Sequence, residues 1–268
     1  MSAYDFLAGY YDCFQQDLDP SAWADFVSWI VGKYGQFPGD GEGGKPLLCD
    51  LGCGTGLVTA ALSKKGYDTI GVDLSSEMLD QAKSHAGKQK ILWLRQDMTK
   101  LDLFGSVDIF VSLLDTVNHI TDRKALDRLF GSFRNFMNPG GLFIFDVASR
   151  THFEETLAGN FFYSVDDDFA VLWENDYDRK TKINTASLTM FGTEDKETYS
   201  RCDEDILERY YPDEEIREIV SKHGLEVVGV FGDLKKRKPN GKDERIFYCV
   251  RRPKDVLSSS EKESKKRR

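Results

Sequence analysis

Three carboxylates, each at or just past the end of a short apolar run, carry the first chemical signal in the chain: Asp50, Asp73 and Asp97. Asp50 opens Asp50-Leu51-Gly52-Cys53-Gly54-Thr55-Gly56, with glycine at alternate positions ahead of a helical pattern. A strand that ends in an acid and passes through such a loop into a helix sets backbone N–H groups and a helix N-terminus against a ligand. Gly52, Gly54 and Gly56 keep that loop bare of side chains, although a tight strand-to-helix turn has the same need. Asp73 closes Asp68-Thr69-Ile70-Gly71-Val72-Asp73, where its carboxylate can accept two hydrogen bonds from the vicinal hydroxyls of a ribose. It could instead cap the next helix, but Ser75 and Ser76 are available for that. Arg95-Gln96-Asp97-Met98 sets a carboxylate and an apolar side chain beside the same crevice, as an adenine ring requires.

A second group of polar residues follows the fourth apolar run, in Ser112-Leu113-Leu114-Asp115-Thr116-Val117-Asn118-His119-Ile120. Asp115, Asn118 and His119 are the candidates there for contact with a second substrate. The bland alternatives are a helix cap for Asp115 and a structural histidine near a helix start. Lys235-Lys236-Arg237-Lys238 beside Asn240-Gly241 reads as a solvated hairpin tip, with phosphate contact as the alternative.

The elements that must position these groups alternate regularly from Leu47 onward. Short apolar runs near 47–51, 68–73, 90–95, 107–112 and 142–147 predict strands, and amphipathic stretches near 57–66, 75–86 and 122–137 predict helices. That is a parallel sheet wrapped by helices. Asn138-Pro139-Gly140-Gly141 is expected as a turn before the fifth strand. Between about 150 and 211 the alternation breaks into strand-like pieces such as Ala170-Val171-Leu172-Trp173, which predicts an inserted antiparallel sheet. A helix over 213–223 and strands over 225–231 and 246–250 resume the first pattern, the last two pairing antiparallel.

The resulting expectation is an α/β fold: a doubly wound, seven-stranded, mostly parallel sheet with its last strand antiparallel, plus the small inserted sheet. Residues 1–45 form leading helices and a glycine-rich loop, 46–150 with 212–252 the ligand-binding domain, and 151–211 an inserted lid. Residues 253–268 are expected as a disordered charged tail.

With Gln96-Asp97-Met98 and Asn138-Pro139-Gly140-Gly141 in register behind the glycine loop and Gly71-Val72-Asp73-Leu74-Ser75, the chain resembles the class I S-adenosylmethionine-dependent methyltransferases. The resemblance implies S-adenosyl-L-methionine as cofactor. It places Asp50, Gly52, Cys53, Gly54 and Gly56 at its methionine part, Asp73 at the ribose, and Asp97 with Met98 at the adenine. Leu74, Met78, Ser112 and Leu114 complete the implied cofactor set. A nicotinamide dehydrogenase would carry G-x-G-x-x-G, and Asp50 beside its pyrophosphate would bring two negative groups together. A sulfonium cofactor bearing an ammonium group removes that conflict.

Within the family the chain is similar to small bacterial members with a leading Tyr-Asp helix, here Tyr11-Asp12, and an inserted small sheet. That similarity implies that Tyr11 folds over the cofactor and that Arg209 and Tyr210 face the acceptor. Asp115, His119 and Tyr11 are then the catalytic candidates, and Asn118, Arg209 and Tyr210 the substrate-binding ones. Methyl transfer from a sulfonium is an in-line displacement, so alignment matters most and a base is optional for an amine but useful for a hydroxyl. The expected acceptor is a small-molecule amine or hydroxyl. The alternatives are RNA or protein methylation, and a catalytically inactive cofactor-binding regulator.

Composition limits the rest. With 36 basic and 45 acidic residues among 268, the net charge of -9 disfavours a broad nucleic-acid footprint. The five cysteines lack any C-x-x-C pair, so neither a zinc site nor a disulfide framework is indicated and no metal is expected. The start, Met1-Ser2-Ala3-Tyr4-Asp5, has no basic or apolar leader character, and no apolar stretch is long enough to cross a membrane, so a cytoplasmic protein is expected. The oligomeric state stays open, a homodimer included.

Overall fold

Helix α1 (Pro20–Tyr34) starts where the chain supplies both a capping acceptor and a fixed φ. The Asp19 carboxylate accepts from the N–H groups of Ser21 and Ala22 at 2.9 and 3.1 Å, and Pro20 fills the first turn. The structure is a computed structural model and describes residues 11–14, 17–37, 44–193 and 195–254. Most of the expected glycine-rich loop (38–43) and of the charged tail (from 255) lies outside these residues, as do residues 1–10.

After α1 come β1 (Leu47–Leu51), α2 (Leu57–Lys64), β2 (Asp68–Asp73), α3 (Ser76–Ala86), β3 (Ile91–Arg95), β4 (Val107–Ser112), α4 (Arg123–Phe136) and β5 (Met137–Ala148). Four strands follow, β6 (Phe161–Val165), β7 (Phe169–Asp178), β8 (Ile183–Gly192) and β9 (Ser200–Arg209), and then α5 (Asp213–Lys222), β10 (Glu226–Gly232) and β11 (Arg245–Arg251). Seven strands form one sheet in the order β10-β11-β5-β4-β1-β2-β3, and β6-β7-β8-β9 form a second, antiparallel meander. In the large sheet β11 alone runs antiparallel to its neighbours β5 and β10. The seven-stranded sheet with an antiparallel last strand and a separate small sheet is as expected.

The order reverses at β1, which lies between β2 and β4, and there the crossovers to either side open a crevice beyond the strand ends. Apolar layers hold both faces of the sheet. On one, Trp23, Phe26 and Ile30 of α1 and Val58 and Leu62 of α2 pack on Leu48 and Phe247, with Phe26 edge-on to Phe247 at 4.9 Å. On the other, α4 presents Leu126, Leu129, Phe130 and Phe133, one helical stripe, to Phe143 and Phe145, and α5 adds Ile216 and Ile219. Each such ring or branched side chain taken out of water contributes about 1.5–3 kcal/mol. The two layers thereby fix the strand ends at which the polar residues stand.

Two local expectations change. Asn138-Pro139-Gly140-Gly141 is not a turn ahead of β5 but a bulge inside its start, where the register jumps from Val107↔Met137 to Ile109↔Leu142. The bulge is pinned by Asn138, which donates to Asp108 at 2.8 Å, and by Gly140 N–H, which donates to the Arg252 carbonyl at 2.8 Å. Asn240-Gly241 does not make a two-residue hairpin, because residues 233–244 separate β10 from β11. That loop is organised by Asp243, which accepts from Asn240 N–H at 2.6 Å and from both terminal nitrogens of Arg237. One of the four basic residues at 235–238 is therefore a structural clamp.

Candidate functional site

The glycine loop spends its first three N–H groups on strand β2. Gly52 and Cys53 donate to the Val72 carbonyl at 2.7 and 3.0 Å, and Gly54 donates to Asp73 Oδ2 at 2.8 Å. Those groups, expected to face a ligand, are instead consumed in docking β1 to β2. What the loop offers outward is bare backbone: at Gly54, with φ +53°, a side chain would meet no atom within 4 Å. Gly56 has a different reason to be glycine. Its φ is +75° and a Cβ would lie 2.8 Å from that of Ala82 and 2.7 Å from the Trp93 ring, so it serves the packing of α2 rather than the crevice.

Outside the loop lies a cavity of about 430 Å³, bounded by Gly52, Gly54, Asp73, Leu74, Met78, Asp97 and Met98 on one side and Tyr11, Leu114, Thr116 and His119 on the other. Its volume falls in the range of small-ligand sites. The Asp73 carboxylate accepts from Gly54 and Ser75 N–H, which orients it and leaves lone pairs for a ligand. Burial pushes its carboxyl up, and those backbone donors oppose the shift. Ser75 Oγ caps α3 by accepting from Met78 N–H at 3.2 Å, so Asp73 is spared that task. Leu74 is 66% exposed, an apolar side chain held out over the cavity. At Asp97 burial opposes ionisation, yet hydrogen bonds from Thr99 and the charge of Lys100 outweigh it and hold the carboxyl below its usual range.

Asp50 lies deeper, its Oδ2 accepting from Thr59 Oγ1 at 2.6 Å. Burial pushes its carboxyl up to about 7, with Thr59 opposing and the Asp73 charge adding. It borders a small cavity of about 40 Å³ shared with Tyr11, Cys53 and Gly54. The leading turn Tyr11–Phe14 is tied down over the loop by Asp12, which accepts from Thr55 Oγ1 at 2.7 Å and lies 3.2 Å from His85 Nε2. The sequence shows the Tyr11-Asp12 motif but not its link to Thr55 and His85, since no local spacing connects residues 12, 55 and 85.

Across the cavity from Asp73, Leu114 and Asp115 follow β4 with φ of +59° and +54°, a conformation that costs a non-glycine residue about 1–3 kcal/mol. The strain is held by Asp115 N–H donating to Asp146 Oδ2 at 2.8 Å and by Arg245 Nη2 donating to Asp115 Oδ2 at 3.0 Å. Arg245 Nη1 also bonds Asp146, whose side chain is fully buried. Burial resists the ionisation of Asp115, but Arg245, then His119 and His152, hold its carboxyl below the usual range, whereas burial keeps that of Asp146 above it. His119 borders the 430 Å³ cavity and brings Nε2 to 3.9 Å from Glu208 of β9.

Several expected contacts are absent from the cavity. Asn118 is fully buried, donating to the Arg209 carbonyl at 2.8 Å and accepting from Ala148 N–H at 2.9 Å, so it rivets β9 to β5. Ser112 is likewise buried, donating to the Leu51 carbonyl at 3.0 Å to join β4 to β1. Arg209 is paired with Glu215 at 2.9 Å and stacked over Tyr211, and Tyr210 packs near Phe153 and borders a different cavity of about 760 Å³. Adjacent strand positions face opposite ways, and the residue of this segment turned toward His119 is Glu208. Glu208, Arg245 and Asp146 were missed. The signal for the last two was the antiparallel pairing of the final strand, which sets Arg245 at the carboxyl end of β5.

The family of the "methyltransferase domain" matches residues 48–141, the stretch that carries the glycine loop, Asp73, Asp97 and Met98. YqeM of Bacillus subtilis (strain 168), named by inference as a methyltransferase, is 30% identical over 216 residues, covering 80% of this chain and 87% of its own. A solved S-adenosylmethionine-dependent methyltransferase from Clostridium acetobutylicum ATCC 824 superposes with a TM-score of 0.80 at 29% identity, covering 94% of this chain and 100% of that one. The chain belongs to the class I S-adenosylmethionine-dependent methyltransferases. The sugar N-methyltransferase KedS8 from Streptoalloteichus sp ATCC 53650 shares the methyltransferase's fold, with a TM-score of 0.68 at 20% identity over 90% of this chain and 92% of its own. Among the described residues of this methyltransferase, no helix is long and apolar enough to cross a membrane.

The residues present fit the donor of that family. The open space at Gly54, the spare lone pairs of Asp73 and the apolar flanks Leu74 and Met98 suit an adenosyl group. The buried Asp50 suits a nearby cation.

Proposed function

We propose that this methyltransferase transfers the methyl group of S-adenosylmethionine to an amine or hydroxyl of a small molecule held between the loop after β4 and the inserted sheet. The donor supplies an activated methyl on a sulfonium. In this reading Asp73 holds the ribose hydroxyls, Asp97 takes the adenine amino group, and Leu74, Met78 and Met98 flank the ring. Asp50, with the backbone of Gly52 to Gly54, faces the methionine part, and Tyr11 and Leu114 close over it.

The acceptor then meets the Asp115 and His119 side of the cavity, where the protein has to align it and exclude water. The observation that carries this reading is the position of His119, which borders the cofactor cavity and also stands 3.9 Å from Glu208 of the inserted sheet. One residue thus joins the donor half to the element that would cover an acceptor. The likeness to a sugar N-methyltransferase supports a small acceptor, as does the net charge of -9. The inserted sheet acts as a lid.

The test is a methyl-labelled donor incubated with the enzyme and a size-fractionated cell extract. Label is expected in the small-molecule fraction. Label confined to RNA or protein would overturn the proposal.

A further inference from the structure

We propose that the acceptor is an amine that arrives as an ammonium ion, and that Glu208 of the inserted sheet binds it and takes the proton it must lose. The inference rests on the small-molecule reading above and narrows it.

The acceptor side carries more negative charge and more acceptor capacity than its own cation satisfies. Asp115 and Asp146 share the single guanidinium of Arg245, and Glu208 adds a third carboxylate with His119 as its ion-pair partner, at 3.9 Å. Asp146 is fully buried and its Oδ1 accepts no hydrogen bond among the described residues, so it acts on the neighbouring groups through its charge. The group is not sealed. The side chains of Asp115, His119 and Glu208 keep 26%, 30% and 19% of their surface exposed, and His119, which lines the cavity, stands 3.9 Å from Glu208. An ammonium brings the positive charge and the N–H donors this arrangement lacks. A hydroxyl brings neither the charge nor the three donors, and an anionic acceptor would be repelled.

Glu208 is also suited to the proton transfer. Burial raises its carboxyl, with Asp115 adding to the shift and His119 and His152 opposing it, so it is a stronger base than an ordinary glutamate. In the proposed step the ammonium gives one proton to Glu208. The freed nitrogen lone pair then forms the N–C bond to the transferred methyl carbon as the C–S bond breaks, its electron pair remaining on sulfur. Glu208 returns the proton to solvent, so one proton is released for each methyl transferred.

The experiment passes a small-molecule extract over a sulfonated cation exchanger at pH 7 and assays the retained and unretained fractions with methyl-labelled donor and enzyme. Label is expected in the retained fraction, on nitrogen by mass spectrometry. Glu208→Gln should lower kcat/KM for that fraction about 10- to 100-fold, with calorimetric affinity for S-adenosylmethionine within about twofold of the parent. Label only in the unretained fraction, or an unchanged kcat/KM for Glu208→Gln, would overturn the inference while leaving the small-molecule reading in place. Absence of label from both fractions would remove that reading as well.

Discussion

Arg245, the first residue of the last strand, donates to the carboxylate of Asp115 at 3.0 Å across 130 positions of sequence. The contact exists because β11 enters antiparallel to β5, which brings its first residue to the edge where the parallel strands end. It holds the left-handed backbone of Leu114 and Asp115 in place and half-neutralises the pair Asp115 and Asp146. Arg245→Ala should leave both carboxylates unpaired and cost about 3–5 kcal/mol of stability. Chemical denaturation measures it, and a loss under about 1 kcal/mol would show that the pair is solvated.

Asp50 makes the free enzyme pH-sensitive. Its carboxyl titrates near the ordinary range when unfolded and at about 7 when folded, so the unfolded chain gives up its proton first. Stability should therefore fall as the pH rises from about 4 to 7 and be flat with respect to this group above that. Asp50→Asn should abolish this part of the slope and be more stable than the parent at pH 8. Parallel stability curves for the two proteins across pH 4–8 would contradict the assigned burial.

Asp12 ties the leading turn to the glycine loop, with Thr55 Oγ1 on one oxygen and His85 Nε2 near the other. Asp12→Ala removes both partners. Cofactor affinity should drop about 5- to 30-fold, about 1–2 kcal/mol, and limited proteolysis within residues 11–14 should accelerate. Unaltered proteolysis would mean that the turn is held by other contacts.

Much of the fold was legible because each element advertised itself locally. The runs ending at Leu51, Asp73 and Ser112 are short and apolar, Ser75 caps its helix, and Leu126, Leu129, Phe130 and Phe133 trace one helical face. The β2 and β3 side of the cavity was legible for the same reason, since Asp73, Leu74, Asp97 and Met98, which line it, sit directly at strand ends. The side toward the inserted sheet was not. Asn118 had the residue type of a binding group, but its amide is consumed by two backbone partners that only the tertiary structure supplies. Arg209 and Glu208 are neighbours in a strand, and which of them turns inward depends on a register set by the pairing Ile183↔Arg209. The N–H groups of the glycine loop were misassigned because a parallel neighbour, β2, competes for them.

Calorimetric titration of S-adenosylmethionine into the parent enzyme, Asp73→Ala and Asp73→Asn tests the placement of the cofactor most directly. Asp73→Ala should weaken binding by about 1–3 kcal/mol, the loss of charge-assisted hydrogen bonds to the ribose. Asp73→Asn, which still offers an oxygen to the Gly54 N–H, should keep the fold and lose a part of that affinity. Equal affinity in all three proteins would contradict the account, because it would put the ribose somewhere other than the end of β2.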